Sequence, residues 1–188
     1  HTDADITGAP LMWRRVRKST VLFAVVLCPI LSATVGARPF DAMPACSQAE
    51  VKALRFITVG RASLHRPDCN TTSPLSAPLR LDFTYYREIP GDAFAKAARK
   101  IIKRNLPAVA FKRLASRIDA FNAAYQTIQE GDRYSLDYHA DGTLVLLLNG
   151  EAVAREKGDD FASAYLSIWF GERPYSDALK AALMDVGS

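Results

Sequence analysis

An α+β fold, with helices covering one antiparallel sheet, is what the chain predicts, and three observations carry it. Stretches of alternating apolar and polar residues flank a central block with helical spacing; two tight turns, Asp141-Gly142 and Asn149-Gly150, join the late strands into a meander; and no period repeats along the 188 residues. With 49% hydrophobic and 23% charged residues and ten each of Gly and Pro, the composition is that of one globular domain and excludes disordered or collagen-like chains. The formal charge of +4 is concentrated at the start: residues 1–37 hold Arg14, Arg15, Arg17 and Lys18 against Asp3 and Asp5, so the remainder carries 20 basic and 18 acidic residues. A body so close to neutral argues against nucleic acid as a partner.

From Met12 the chain reads MWRRVRK, an apolar stretch from Val21 to Leu31, and small residues at Val35 and Ala37. That order of positive, apolar and small-residue regions predicts a secretory signal peptide over 12–37, cleaved after Ala37, and hence a periplasmic or secreted protein. The alternative is an uncleaved anchor, but the apolar run is short and Pro29 interrupts it, so no stable membrane span is expected once the signal is gone. Cys28 belongs to the apolar run, since bulky Leu27 precedes it where lipidation needs a small residue. Residues 1–11 read as an upstream segment with no assigned role, and 38–188 as a single domain. In an oxidising compartment the two remaining thiols, Cys46 and Cys69, are expected to pair; the alternative is two separately buried thiols.

Val51 to Arg66 is rich in β-branched and apolar residues and predicts one long strand, or a pair bent around Gly60. A polar loop from Asp68 to Ala77 comes next and contains the sequon Asn70-Thr71-Thr72. Pro78 to Glu88 alternates Leu79, Leu81, Phe83 and Tyr85 inward with Arg80, Asp82 and Thr84 outward, and Pro90-Gly91-Asp92 ends that strand and caps the first helix. Between Ala93 and Asn105, Phe94, Ala97, Ala98, Ile101 and Ile102 share one helical face and Lys96, Arg99, Lys100, Lys103 and Arg104 the other, which reads as solvated. A second helix, about Ala108 to Tyr125, presents Phe111, Leu114, Ile118, Phe121 and Tyr125 at helical spacing. Strands at Tyr134 to Tyr138, Thr143 to Leu148 and Glu151 to Arg155 form the meander. A helix from Asp159 to Phe170 buries Phe161, Tyr165, Ile168 and Trp169 and ends at Gly171; Ser176 caps a last one through Met184.

Portable catalytic motifs are absent: no Gly-rich phosphate loop, no H-E-x-x-H, no G-x-S-x-G and no CxxC. Asp137, His139 and Asp141 share a strand face at a spacing that suits metal ligands, but a hairpin end with a solvated His139 explains them better, and no metal or cofactor is expected. His65 lies near Cys69, which a disulfide would remove as a nucleophile.

The string FITVGRASLHRP, the Gly131-Asp132 turn, VLLLNGEAV and FASAYLSIWFGERPYSDALKAAL together resemble the chalcone isomerase-like family, in particular its exported bacterial branch, over roughly Leu54 to Met184. The resemblance implies an open-faced β-sandwich, a curved antiparallel sheet covered by helices with a ligand cleft between them. Enzymes of that family cyclise a chalcone with a positioned Arg and with a Thr and a Tyr that order the water and ketone oxygen. The family's Thr falls on Thr58. No Arg stands near Cys46, and the remaining polar positions fall on Phe94, Ile101 and Ile168. Without donors for developing negative charge, the isomerase chemistry is expected to be absent.

Two functions are implied by the resemblance. One is a non-catalytic protein binding an apolar or amphipathic small molecule such as a fatty acid, in a cleft lined by Thr58, Phe94, Ile101, Ile168 and Trp169, with Arg61 the nearest cation. The other is an isomerase or lyase acting on a phenolic or enone substrate through Thr58 and either Tyr85 or Tyr138. Plain core packing of Phe94, Ile101, Ile168 and Trp169 is the bland alternative to both.

Overall fold

The computed structural model describes residues 39–54, 56–70, 73 and 75–185. The upstream segment 1–11, the signal peptide expected over 12–37, and Thr71 and Thr72 of the sequon lie outside the described residues. Six strands, β1 (Ala45–Ala53), β2 (Ile57–His65), β3 (Leu79–Tyr85), β4 (Arg133–Tyr138), β5 (Thr143–Leu148) and β6 (Glu151–Lys157), form one antiparallel sheet in chain order. Helices α1 (Gly91–Asn105) and α2 (Ala108–Asn122) fill the connection from β3 to β4; α3 (Asp159–Phe170) and α4 (Asp177–Met184) come after β6. An α+β open sheet with its helices packed into a single apolar core is the observed fold.

In place of one long strand, or a pair bent around Gly60, the segment forms a hairpin that turns between Ala53 and Ile57, with Leu54 at φ 50°. Gly60 does not break β2. It sits where β2 and β3 approach so closely that a Cβ would collide with the Thr84 carbonyl oxygen. Beside it the β1–β2 register slips between Val51↔Gly60 and Lys52↔Thr58, leaving Val59 as a bulge whose side chain is buried. The periodicity could not separate two strands here because Leu54 and Phe56, both exposed, continue the apolar run through the turn.

The inward face of β3 is as expected, with Leu79, Leu81, Phe83 and Tyr85 buried. The opposite face corrects the reading: Arg80 and Asp82 are 4% and 6% exposed. A short 3-10 turn, Pro39–Ala42, crosses that face and seats Phe40 against His139 and against the Arg80 guanidinium. Arg80 faces Asp137 across the β3–β4 ladder and grips it with both arms, Nε–Oδ1 2.6 Å and Nη2–Oδ2 2.8 Å, while its Nη1 meets Asp41 at 2.5 Å. Burial alone would lower the guanidinium pKa, but the carboxylates of Asp137 and Asp41 outweigh it and hold it above its usual range. Asp137 is thus an ion-pair partner, and His139 an aromatic contact rather than a solvated side chain. Among the described residues no group of three or more His, Cys, Asp or Glu could hold a metal ion.

Helix ends agree with the sequence reading with two exceptions, one being α2, which stops at Asn122 rather than Tyr125. Ser176 accepts a hydrogen bond from Leu179 N–H and caps α4. The entry to α1 has no side-chain cap: Pro90 occupies the N-cap position, and Asp92 pairs with Lys96 one turn on. The basic face of α1 is partly engaged, since Arg99 pairs with Asp119 of α2, and Arg104 donates to the carbonyls of Arg173 and Pro174. Asn105 Nδ2 donates to the carbonyls of Ile101 and Arg173, at 2.9 and 2.8 Å, and so ties the end of α1 to the loop before α4.

Cys46 and Cys69 form a disulfide with 5.1 Å between Cα atoms and a sequence separation of 23. It joins β1 to the loop after β2. Cys69→Ser is expected to lower unfolding free energy by about 3 kcal/mol through loop entropy, read as a drop in the urea midpoint; a midpoint unchanged from the oxidised wild type would show that the bridge contributes nothing.

Candidate functional site

Between the sheet and helices α1 and α3 lies a cleft of about 300 Å³. Its sheet side is built from Val51, Val59, Phe83 and Tyr85. Local structure explains the position of each: Phe83 and Tyr85 are successive inward residues of β3, and the bulge turns Val59 into the same space. The helix side presents Phe94, Ala97 and Ile101 of α1 and Ile168 and Trp169 of α3, with Tyr125 and Tyr175 among the remaining lining residues. Residues 94, 97 and 101 are one helical stripe, which is why the face that sequence periodicity assigns to the core also supplies the wall.

Aromatic rings organise the interior. Trp169 sits 5.1 Å from Phe83, Tyr85 meets Phe94 edge-on at 5.3 Å, and Phe94 stacks on Tyr125 at 5.3 Å. Among the described residues no Lys, Arg, His, Asp or Glu lines the cleft. Burial pushes the phenols of Tyr85 and Tyr125 well above their ordinary range, so both remain neutral donors. A larger cavity, about 800 Å³, runs between β1 and α4, but Glu50, Lys52, Arg104 and Asp177 stand along it. Small-molecule sites are mostly apolar with a few convergent polar groups, and the smaller cleft has that chemistry.

Four of the five residues expected to line a cleft, Phe94, Ile101, Ile168 and Trp169, do converge on this one. Thr58 stands apart. It lies opposite Lys52 beyond the bulge, with its hydroxyl 3.4 Å from the Glu50 carboxylate. Arg61 is exposed on β2 opposite Glu50 and Thr84 and is not a lining residue. Of the two alternative tyrosines, Tyr85 is in the cleft; Tyr138 is not, and its hydroxyl donates to Asp159 Oδ1 at 2.6 Å. His65 Nδ1 is 3.2 Å from the Met43 carbonyl oxygen and its Nε2 3.0 Å from Ser63 Oγ, while Cys69 is held in the disulfide. Val59 and Tyr175 escape sequence reasoning. The bulge that aims the first has no periodic signature, and the second lies in the loop between two helices.

β1, the strand nearest the position where an isomerase arginine would stand, carries none. The arrangement can hold an apolar body and donate hydrogen bonds to it, and among its lining residues there is no cation to stabilise an enolate or phenolate. A family model described as chalcone isomerase-like matches residues 56–185, more than half of the chain. No curated protein matches the sequence. Among solved structures, a fatty-acid binding protein of Arabidopsis thaliana superposes with a TM-score of 0.54 at 14% identity, covering 77% of this chain and 88% of that one. At that identity the likeness speaks for the fold, and the family match, the six-stranded open sheet and the position of the cleft agree with it: the chain belongs to the chalcone isomerase-like family.

Proposed function

We propose that the protein is a non-catalytic, exported carrier or sensor of an apolar or amphipathic small molecule, of the class to which fatty acids belong. The observation that carries this reading is the cleft walled by Phe94, Ile101, Ile168 and Trp169, with no charged side chain among the described residues that line it. Such a wall favours transfer of an alkyl chain from water by about 0.8 kcal/mol per buried methylene. The fatty-acid binding protein with the same fold supports the ligand class. The charge and hydropathy order of residues 12–37 supports export to the periplasm or outside the cell.

Native mass spectrometry on protein purified from the host's exported fraction tests both parts. The expected result is a chain beginning at Arg38 with a small apolar molecule bound, and a wild-type melting temperature that rises with added acyl chains by mass action. Ile101→Glu, which puts a carboxylate into the apolar wall, should abolish that rise. A melting temperature unmoved by any acyl chain up to its solubility limit would overturn the binding reading, and an intact 12–37 segment on exported protein would overturn the address.

A further inference from the structure

The hydroxyl protons around the cleft can be accounted for one at a time. Tyr175 donates to the Lys52 carbonyl at 3.0 Å. The Tyr165 hydroxyl donates to Asn122 Oδ1 at 2.7 Å and toward the Tyr125 oxygen at 3.1 Å, so the two phenols are joined to each other and to the amide. Tyr134, whose ring is edge-on to Tyr85, donates to the Gln126 carbonyl at 3.1 Å. Tyr85 is different. It is 7% exposed, surrounded by the rings of Phe83, Phe94 and Tyr134, and its hydroxyl makes no hydrogen bond to any described residue. The indole N–H of Trp169 makes none either.

The Tyr85 hydroxyl is not sealed from solvent, and a ligand that covers it without supplying an acceptor leaves a donor unpaired, at a cost of about 1–3 kcal/mol. The other inward positions of β3, Leu79, Leu81 and Phe83, are all apolar. Among the described residues, those lining the cleft supply donors but no cation. Arg104, across Tyr175 in the neighbouring groove, is engaged by the carbonyls of Arg173 and Pro174. A carboxylate held here would be a charge buried without a partner, which is far more costly than an unmet hydroxyl. We infer that the cleft selects a ligand whose apolar body carries one uncharged hydrogen-bond acceptor, such as the carbonyl of a ketone, ester, amide or undissociated acid. The Tyr85 hydroxyl binds that acceptor, with the Trp169 N–H as a second donor. This rests on the binding role proposed above and narrows it.

The test is calorimetric titration of the wild-type protein and Tyr85→Phe with undecane, 2-undecanone and undecanoic acid. Wild type should bind the ketone roughly three- to tenfold more tightly than the alkane, the gain of one hydrogen bond. Tyr85→Phe should remove that difference while binding undecane as before. Undecanoic acid should bind more tightly below the ordinary carboxyl pKa than at pH about 8, where it is ionised. Undecanoate binding at the higher pH as tightly as the ketone, or a ketone preference that survives in Tyr85→Phe, would overturn the inference. Since the hydroxyl bonds nothing in the protein, Tyr85→Phe should keep its unliganded melting temperature; if it does not, the ketone-to-alkane ratio in Trp169→Phe decides in its place. If none of the three probes binds wild type, the binding role itself fails. If undecane binds and the ketone binds no better, the role stands and the selectivity falls.

Discussion

Replacing Arg80 by methionine is expected to lower the unfolding free energy by about 3–5 kcal/mol, one of the largest losses available to a single substitution in this chain. The side chain is 5% exposed and so is that of Asp137, its bidentate partner on the adjacent strand. Methionine restores much of the volume, so the cost comes from the carboxylate it leaves behind, buried beneath Phe40 and the 3-10 turn without its countercharge. The half-exposed Asp41 can turn to water and contributes little to the loss. Arg80→Met/Asp137→Leu separates the two explanations. Removing both charges should recover most of the loss, because paired apolar replacements of a buried ion pair are commonly neutral or stabilising. Urea unfolding of the three proteins measures it; a single variant within about 1 kcal/mol of wild type, or a double variant no better than the single, would show that the pair does not hold this face.

That face also marks where reading the chain from its residues stops. Alternation places Arg80 and Asp82 opposite Leu79 and Leu81 correctly, because strand geometry leaves no choice. It cannot say that they are buried, since burial of the second face depends on a 3-10 turn from Pro39 to Ala42 arriving over it, a long-range event with no local pattern. The cleft divides the same way. Phe94, Ile101, Ile168 and Trp169 come from helical spacing and from a string that resembles the family, and all four converge. Thr58 is placed by the family resemblance alone, and beside the one-residue bulge at Val59 its hydroxyl stands toward Glu50 instead. The disulfide is legible from the cysteine count and the inferred compartment. The unspent proton of Tyr85 is not, because it becomes visible only when the partners of Tyr125, Tyr134 and Tyr175 are known.

Raised to strongly alkaline pH, the protein is expected to unfold in one cooperative step, and buried tyrosine is the cause. Burial lifts the phenols of Tyr85 and Tyr165 well above 10.0, and that of Tyr125 too, although its hydrogen bond to Tyr165 acts the other way. Tyr138 is pushed up to about 12, by burial first and then by its hydrogen bond to the Asp159 carboxylate. A folded-state pKa above the unfolded one means that the fold favours the neutral phenol. The contribution of each group is therefore intact below about pH 10 and is lost as the pH rises through the folded values. The shift of Tyr138 adds its own loss as the pH rises toward about 12. Three more buried phenols add to a loss that a stability of roughly 5–15 kcal/mol cannot absorb. Tyrosinate absorbance and near-ultraviolet circular dichroism should accordingly change together, in a single transition above pH 10. Tyr85→Phe removes one of these ionisations without removing a hydrogen bond, so it should move the transition to higher pH. Bound 2-undecanone should do the same in wild type, because a ligand engaging the neutral phenol opposes its ionisation, and should do less in Tyr85→Phe. Smooth titration of all the tyrosines near pH 10 with the circular dichroism intact would mean that these rings are open to solvent and that the aromatic wall of the cleft is not packed as described.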